Sequence, residues 1–139
     1  MNEDDLKRRT KLFALRILKL VDALPKTVAG RVIGGQLARA GTSVPANYRA
    51  ACRARSKAEF ISRLGVVEEE ADESEFWLEL IVDYELMKLK LVQPLITEAH
   101  EIVAIMTSSR ISAARNQRAR EKAARIGCKS KIKSQKSKI

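Results

Sequence analysis

Seven carboxylates crowd one short stretch of this chain: Glu68, Glu69, Glu70, Asp72, Glu73, Glu75 and Glu79. Glu68, Asp72, Glu75 and Glu79 recur at i, i+4, i+7 and i+11, so a helix would align them in one stripe. Inward carboxylates of this kind hold paired metal ions in some helical bundles, but those sites also need Glu-x-x-His pairs on two helices. The single histidine, His100, sits in Glu98-Ala99-His100-Glu101 and lacks that spacing. The stripe therefore reads as a solvated face, or as one that pairs with basic residues of the same or a neighbouring chain. No Ser or Cys nucleophile can be placed beside His100 from the sequence, so a base–nucleophile pair is not indicated. Cys52 and Cys128 are far apart and belong to no Cys-x-x-Cys or Cys/His cluster, which argues against structural zinc. Neither a Gly-x-x-x-x-Gly-Lys-Ser/Thr loop nor a Gly-x-Gly-x-x-Gly turn is present to cradle phosphates. The expectation is a non-enzyme without metal or cofactor.

The basic residues give the positive signal. The 139 residues carry 27 Lys and Arg against 17 Asp and Glu, a formal net charge of +10. That excess lies in residues 110–139, whose one acid is Glu121, while residues 1–109 sum to zero. The neutral part is itself divided, with a basic stretch over 26–63 and an acidic one over 64–109. Arg39, Arg49, Arg53 and Arg55 lie in the basic stretch, and the spacing of Arg49 and Arg53 puts them on one helix face. They read either as a solvated, salt-bridged surface or as a phosphate-contacting ridge. Arg115, Arg118, Arg120, Lys122, Arg125, Lys129, Lys131 and Lys133 follow in the tail. A run of like charge beyond a core suits a nucleic-acid arm, against the alternatives of an acidic protein, anionic lipid or solubility. Without a base-reading motif or a stacking surface, such binding would be to RNA or DNA phosphates with little sequence specificity.

The elements that must carry these residues read as helices. Hydrophobic residues make up 45%, aromatics only 4%, and six glycines and three prolines punctuate the chain, which favours long helices. Asn2 and the acids Glu3, Asp4 and Asp5 start a first helix over 3–24, ended by Pro25. A second runs over 27–55, with a kink or short break expected at Pro45, whose ring would clash with the Gly41 carbonyl. Ser56 and Glu59 form a capping box for a third helix reaching about residue 90. Phe60, Leu64, Val67, Ala71, Ser74, Leu78 and Ile81 make its inward stripe. Pro94 suits the first turn of a fourth helix, with Leu95, Ala99, Ile102, Val103 and Met106 on its core face. After Gly127 the Lys/Ser-rich sequence is of low complexity and is expected to be disordered. The predicted architecture is all-α: an antiparallel four-helix bundle over 1–118 with a kinked second helix, and a disordered basic tail over 119–139. No apolar run is long enough to span a membrane, the start of the chain is acidic where a secretory signal would be basic, and a cytoplasmic protein with reduced thiols is expected.

The segment from Gln36 to Asn47, with Arg39-Ala40-Gly41-Thr42-Ser43-Val44-Pro45-Ala46-Asn47 at its heart, resembles a signature of the bacterial four-helix-bundle family associated with ribosomal RNA intervening sequences. The segment from Ser56 through Phe60 and on to Leu80 is similar to the third helix of that family, and with the flanking helices the likeness covers about residues 5–118. A related branch comprises the accessory variability proteins of diversity-generating retroelements, which form homopentameric barrels, bind nucleic acid and partner a reverse transcriptase. The resemblance implies a homo-oligomer, a homopentamer being one form, and a polymerase-type partner. After Pro45-Ala46-Asn47 many members continue with an Ile-Ala-Glu-Gly-like segment, where this chain has Tyr48-Arg49-Ala50-Ala51-Cys52-Arg53, with less glycine and more positive charge. The functional expectation is an oligomeric, non-catalytic nucleic-acid-binding accessory protein. The alternative is a protein–protein scaffold without nucleic-acid contact, and a small-molecule or metal-binding bundle ranks below both.

Overall fold

A computed structural model describes residues 1–137, with helices α1 (Glu3–Asp22), α2 (Val28–Cys52), α3 (Lys57–Asp83) and α4 (Leu89–Ser137). Local chemistry starts each of the first three. Asn2 Oδ1 accepts from the Asp5 amide at 2.9 Å while Asp5 Oδ2 accepts from the Asn2 amide, a reciprocal cap at the positive end of the helix dipole. Thr27 Oγ1 accepts from the Gly30 amide at 3.1 Å to start α2. Ser56 Oγ accepts from Glu59 N as its spacing predicts, but the Glu59 carboxylate reaches Arg55 N, one residue before the expected partner.

α3 is the middle of the bundle and packs extensively on both α2 and α4, while α1 lies on α2 and touches α4 along a shorter line. Its buried stripe is Leu64, Val67, Ala71, Ser74, Leu78 and Ile81, the inward residues the periodicity predicts, with Phe60 half-buried at its start. Phe13, Ile17, Leu37, Val44, Val92, Ile102 and Met106 complete a continuous core. The two buried polar side chains among the described residues, Thr10 and Ser74, donate to helix carbonyls of Leu6 and Glu70, so their burial leaves neither hydroxyl unsatisfied.

Four boundaries differ from the sequence reading. α2 passes through Pro45 without a break. The buried face on both sides of the proline (Ala40, Gly41, Val44, Tyr48) holds one line against the bundle, and that packing outweighs the lost hydrogen bond. α3 ends at Asp83 instead of near residue 90, because Glu85 takes a left-handed φ of 58°. The Glu85 amide then donates to Val82 and the Leu86 amide to Ile81, the paired bonds of a Schellman turn made without glycine. α4 begins at Leu89, which moves Pro94 from the first turn into the helix. The tail, expected to be disordered, continues α4 as helix through Ser137. Extending an existing helix avoids the cost of nucleation, and Ala119, Lys122, Ala123, Ala124 and Arg125 favour it. Residues 138 and 139 of that predicted tail lie outside the described residues.

Two glycines of α2 play opposite parts. A Cβ at Gly41 would lie 2.8 Å from Cγ2 of the buried Ile17, whereas one at Gly35 would meet nothing within 4 Å. Gly41→Ala should therefore destabilise the protein by about 1–3 kcal/mol, and Gly35→Ala should stabilise it by up to about 1 kcal/mol. Urea unfolding of both variants checks the pair.

Candidate nucleic-acid interface

In an antiparallel bundle the start of α1, the end of α2 and the start of α3 share one end, and α4 leaves the bundle there. The predicted cations are not equivalent in this setting. Arg39 is engaged: its guanidinium pairs with Glu70 at 3.3 Å and with Glu73 on α3. The hydrogen bond from Arg39 holds the Glu73 carboxyl below its ordinary range, and the same pairing raises Arg39. Part of the basic second helix thus pairs with the acidic third within one chain. Arg49, Arg53 and Arg55 stand exposed at the end of α2, and no ion pair engages them among the described residues.

Arg49 and Arg53 share a groove of about 500 Å³ with Lys7, Lys11, Thr42, Pro45 and Ala46, between α1 and α2. A second hollow carries the surface on past Ala50 and Arg55 to Glu59. Lys7 and Lys11 were missing from the candidate set. Their i, i+4 spacing marks a shared face, but only the packing of α1 on α2 brings that face beside Arg49 and Arg53. Lys7 also pairs with Glu3 at 3.1 Å, and Lys11 has no ion pair among the described residues.

The acidic stretch is divided among several partners. Glu68 pairs with Arg110 of α4 at 2.8 Å, and the hydrogen bond from Arg110 lowers its carboxyl. Glu75 faces His100 at 3.4 Å, while Glu69, Asp72 and Glu79 are exposed. Arg9 ties α1 to α4 through Glu98 and Glu101, and those bonds raise the guanidinium. No three His, Cys, Asp or Glu side chains among the described residues converge as a metal site. Burial pushes the Cys52 thiol up, and it does the same to the neighbouring Tyr48 hydroxyl. Cys128 is exposed.

Beyond the bundle α4 stands alone. Ala113 is its last buried residue, and residues 118–136 are exposed throughout. At about 100° per residue, Arg118, Lys122, Arg125, Lys129, Lys133 and Lys136 fall within a sector about 80° wide. Between residues 118 and 136 no other residue type enters that sector. Arg115 begins the same ridge, where it lines a shallow groove with His100, Thr107, Ser108, Ile111 and Ser112. Arg120 and Lys131 lie on the opposite side of the helix. The eight tail candidates therefore divide into a ridge of six and a flank of two.

The family model for the 23S rRNA-intervening sequence protein matches residues 3–108. The chain belongs to this family. A crystal structure of a protein of unknown function from the S23 ribosomal protein family of Bacteroides thetaiotaomicron VPI-5482 is similar, with 32% identity and a TM-score of 0.72. The likeness covers 79% of this chain and 98% of that one. A comparison with curated proteins gave no match. The family match ends at residue 108, so it includes the α1–α2 groove and omits the cationic ridge. No helix among the described residues is long and apolar enough to cross a membrane.

The lowered carboxyls of Glu68 and Glu73 set a sign for acid stability. Each favours the folded state above the ordinary carboxyl value of 4.5, and that contribution is lost as pH falls through the lower folded value. Urea midpoints should fall between about pH 5 and pH 3, and Glu68→Gln with Glu73→Gln should flatten that acid limb. An unchanged limb in the double variant refutes the assignment.

Proposed function

We propose that this family member is a non-catalytic, oligomeric nucleic-acid-binding accessory protein that contacts RNA or DNA phosphates with little sequence specificity. The observation that carries the reading is the cationic ridge of α4, which is exposed and has no carboxylate in its sector. Arg49, Arg53 and Arg55 supply a second contact on the bundle, with Lys11 beside them. Arg39 contributes less because Glu70 and Glu73 already neutralise it. The family's name associates its members with intervening sequences of 23S rRNA, which makes RNA one of the polynucleotides to test. If about six phosphates are neutralised, the log–log slope of affinity against salt should be near −5 on duplex DNA. Deleting residues 119–139 should weaken binding and flatten that slope while the bundle stays folded. Fluorescence anisotropy across a salt series measures both. Absence of binding to any polynucleotide at low salt refutes the proposal.

A scaffold role is the second reading, and one surface favours protein contact. Leu12, Leu15 and Leu18 on α1 are 57%, 50% and 38% exposed, and Val28 and Val32 at the start of α2 are 71% and 59% exposed. Such apolar exposure suits burial against another protein surface. We assign it to self-association, with a homopentamer as one form, which would multiply weak phosphate contacts into avidity. A polymerase-type protein such as a reverse transcriptase is the partner for the scaffold alternative. Light scattering should give a mass that is a multiple of the 15.6 kDa chain, and Leu15→Glu should reduce it. A monomer at micromolar concentration refutes the self-association.

A further inference from the structure

The projecting part of α4 has a shape as well as a charge. Residues 118–136 hold eight cations and one carboxylate, Glu121. Six cations form the ridge, and Arg120 and Lys131 lie across the helix from it. Between those two basic flanks lie the small exposed positions Ala119, Ala123, Gly127, Ser130 and Ser134, with the exposed Ile126 at the edge beside the ridge. Glu121 lies on the remaining side. The arrangement has no broad apolar face, which an interfacial membrane helix would need. The segment carries no aromatic residue, and single-strand binders typically stack bases on aromatic rings.

We propose that this segment of α4 enters the major groove of duplex DNA as a helix, an inference that rests on the nucleic-acid reading above and narrows its ligand. The B-form major groove is about 12 Å wide and admits an α-helix between two phosphate walls. The ridge would meet one wall and Arg120 with Lys131 the other. The small face would approach the floor closely, with Glu121 turned away from both walls. From Arg118 to Lys136 the helix rises about 27 Å, most of one turn of B-DNA at about 34 Å. Charge complementarity selects a polyanion, and the two-sided distribution selects one with walls on both sides. Duplex RNA has a deep, narrow major groove that excludes the helix.

The test compares full-length protein with a 24-base-pair DNA duplex, the RNA duplex of the same sequence and the single-stranded DNA, at one fixed salt concentration. The DNA duplex should bind about tenfold tighter than either of the others. Gly127→Pro interrupts the helix beyond the last buried residue, removing an amide donor and clashing with the Ala123 carbonyl. It should leave the thermal melt of the bundle unchanged and lower DNA-duplex affinity to that of the RNA duplex. RNA or single strands bound as tightly as duplex DNA by the native chain would overturn the groove proposal while leaving phosphate binding intact. So would a Gly127→Pro variant that retained the DNA preference. Failure to bind all three would instead reject the nucleic-acid reading itself.

Discussion

Burial of one stripe of α3 against two neighbours is the constraint from which the remaining geometry follows. Leu64, Val67, Ala71, Ser74, Leu78 and Ile81 face inward together, so the acids between them must face outward or sideways. Once α3 is fixed in rotation, Glu70 and Glu73 point toward α2 and Glu68 toward α4. Arg39 and Arg110 meet them there. These pairs are partly solvated, and their worth to stability is modest. Their larger consequence is to remove two arginines from the pool of cations available to an external anion.

The same constraint divides the molecule electrostatically. Along the bundle, Arg9, Arg39 and Arg110 lie against carboxylates that neutralise them. At the end where α4 departs, Arg49, Arg53, Arg55 and Lys11 lack ion pairs among the described residues. The helix continuing from that end adds eight more cations against one acid. The cations without ion pairs are therefore concentrated in the α1–α2 groove and on the projecting helix. Long-range fields of this kind raise association rates with polyanions and weaken steeply with salt.

Much of the fold was legible because helix periodicity reports burial directly. The α3 stripe, the Asn2 cap and the Ser56 Oγ–Glu59 N bond follow from residue spacing. The break allowed for at Pro45 and the helix start expected at Pro94 did not occur, because local rules ask what a proline costs in isolation. In α2 a continuous buried face outweighs that cost. The early end of α3 turned on Glu85 adopting a left-handed conformation, which a non-glycine residue seldom announces. The tail was misjudged for another reason: composition describes a segment on its own, whereas residues 118–137 inherit a nucleated helix.

The sequence by itself determined the all-α class, the buried stripe of α3, the family and the concentration of positive charge near the C-terminal end. These depend on residue type and spacing along one chain. Tertiary structure decided which cations remain available, because pairing depends on distances between helices that no local pattern contains. It neutralised Arg39 across the α2–α3 contact and gathered Lys7 and Lys11 beside Arg49 and Arg53. It also turned a run of basic residues into a helix with a ridge of seven cations, from Arg115 to Lys136, and an opposite flank. Charge count is a property of composition, whereas charge placement depends on how the helices pack.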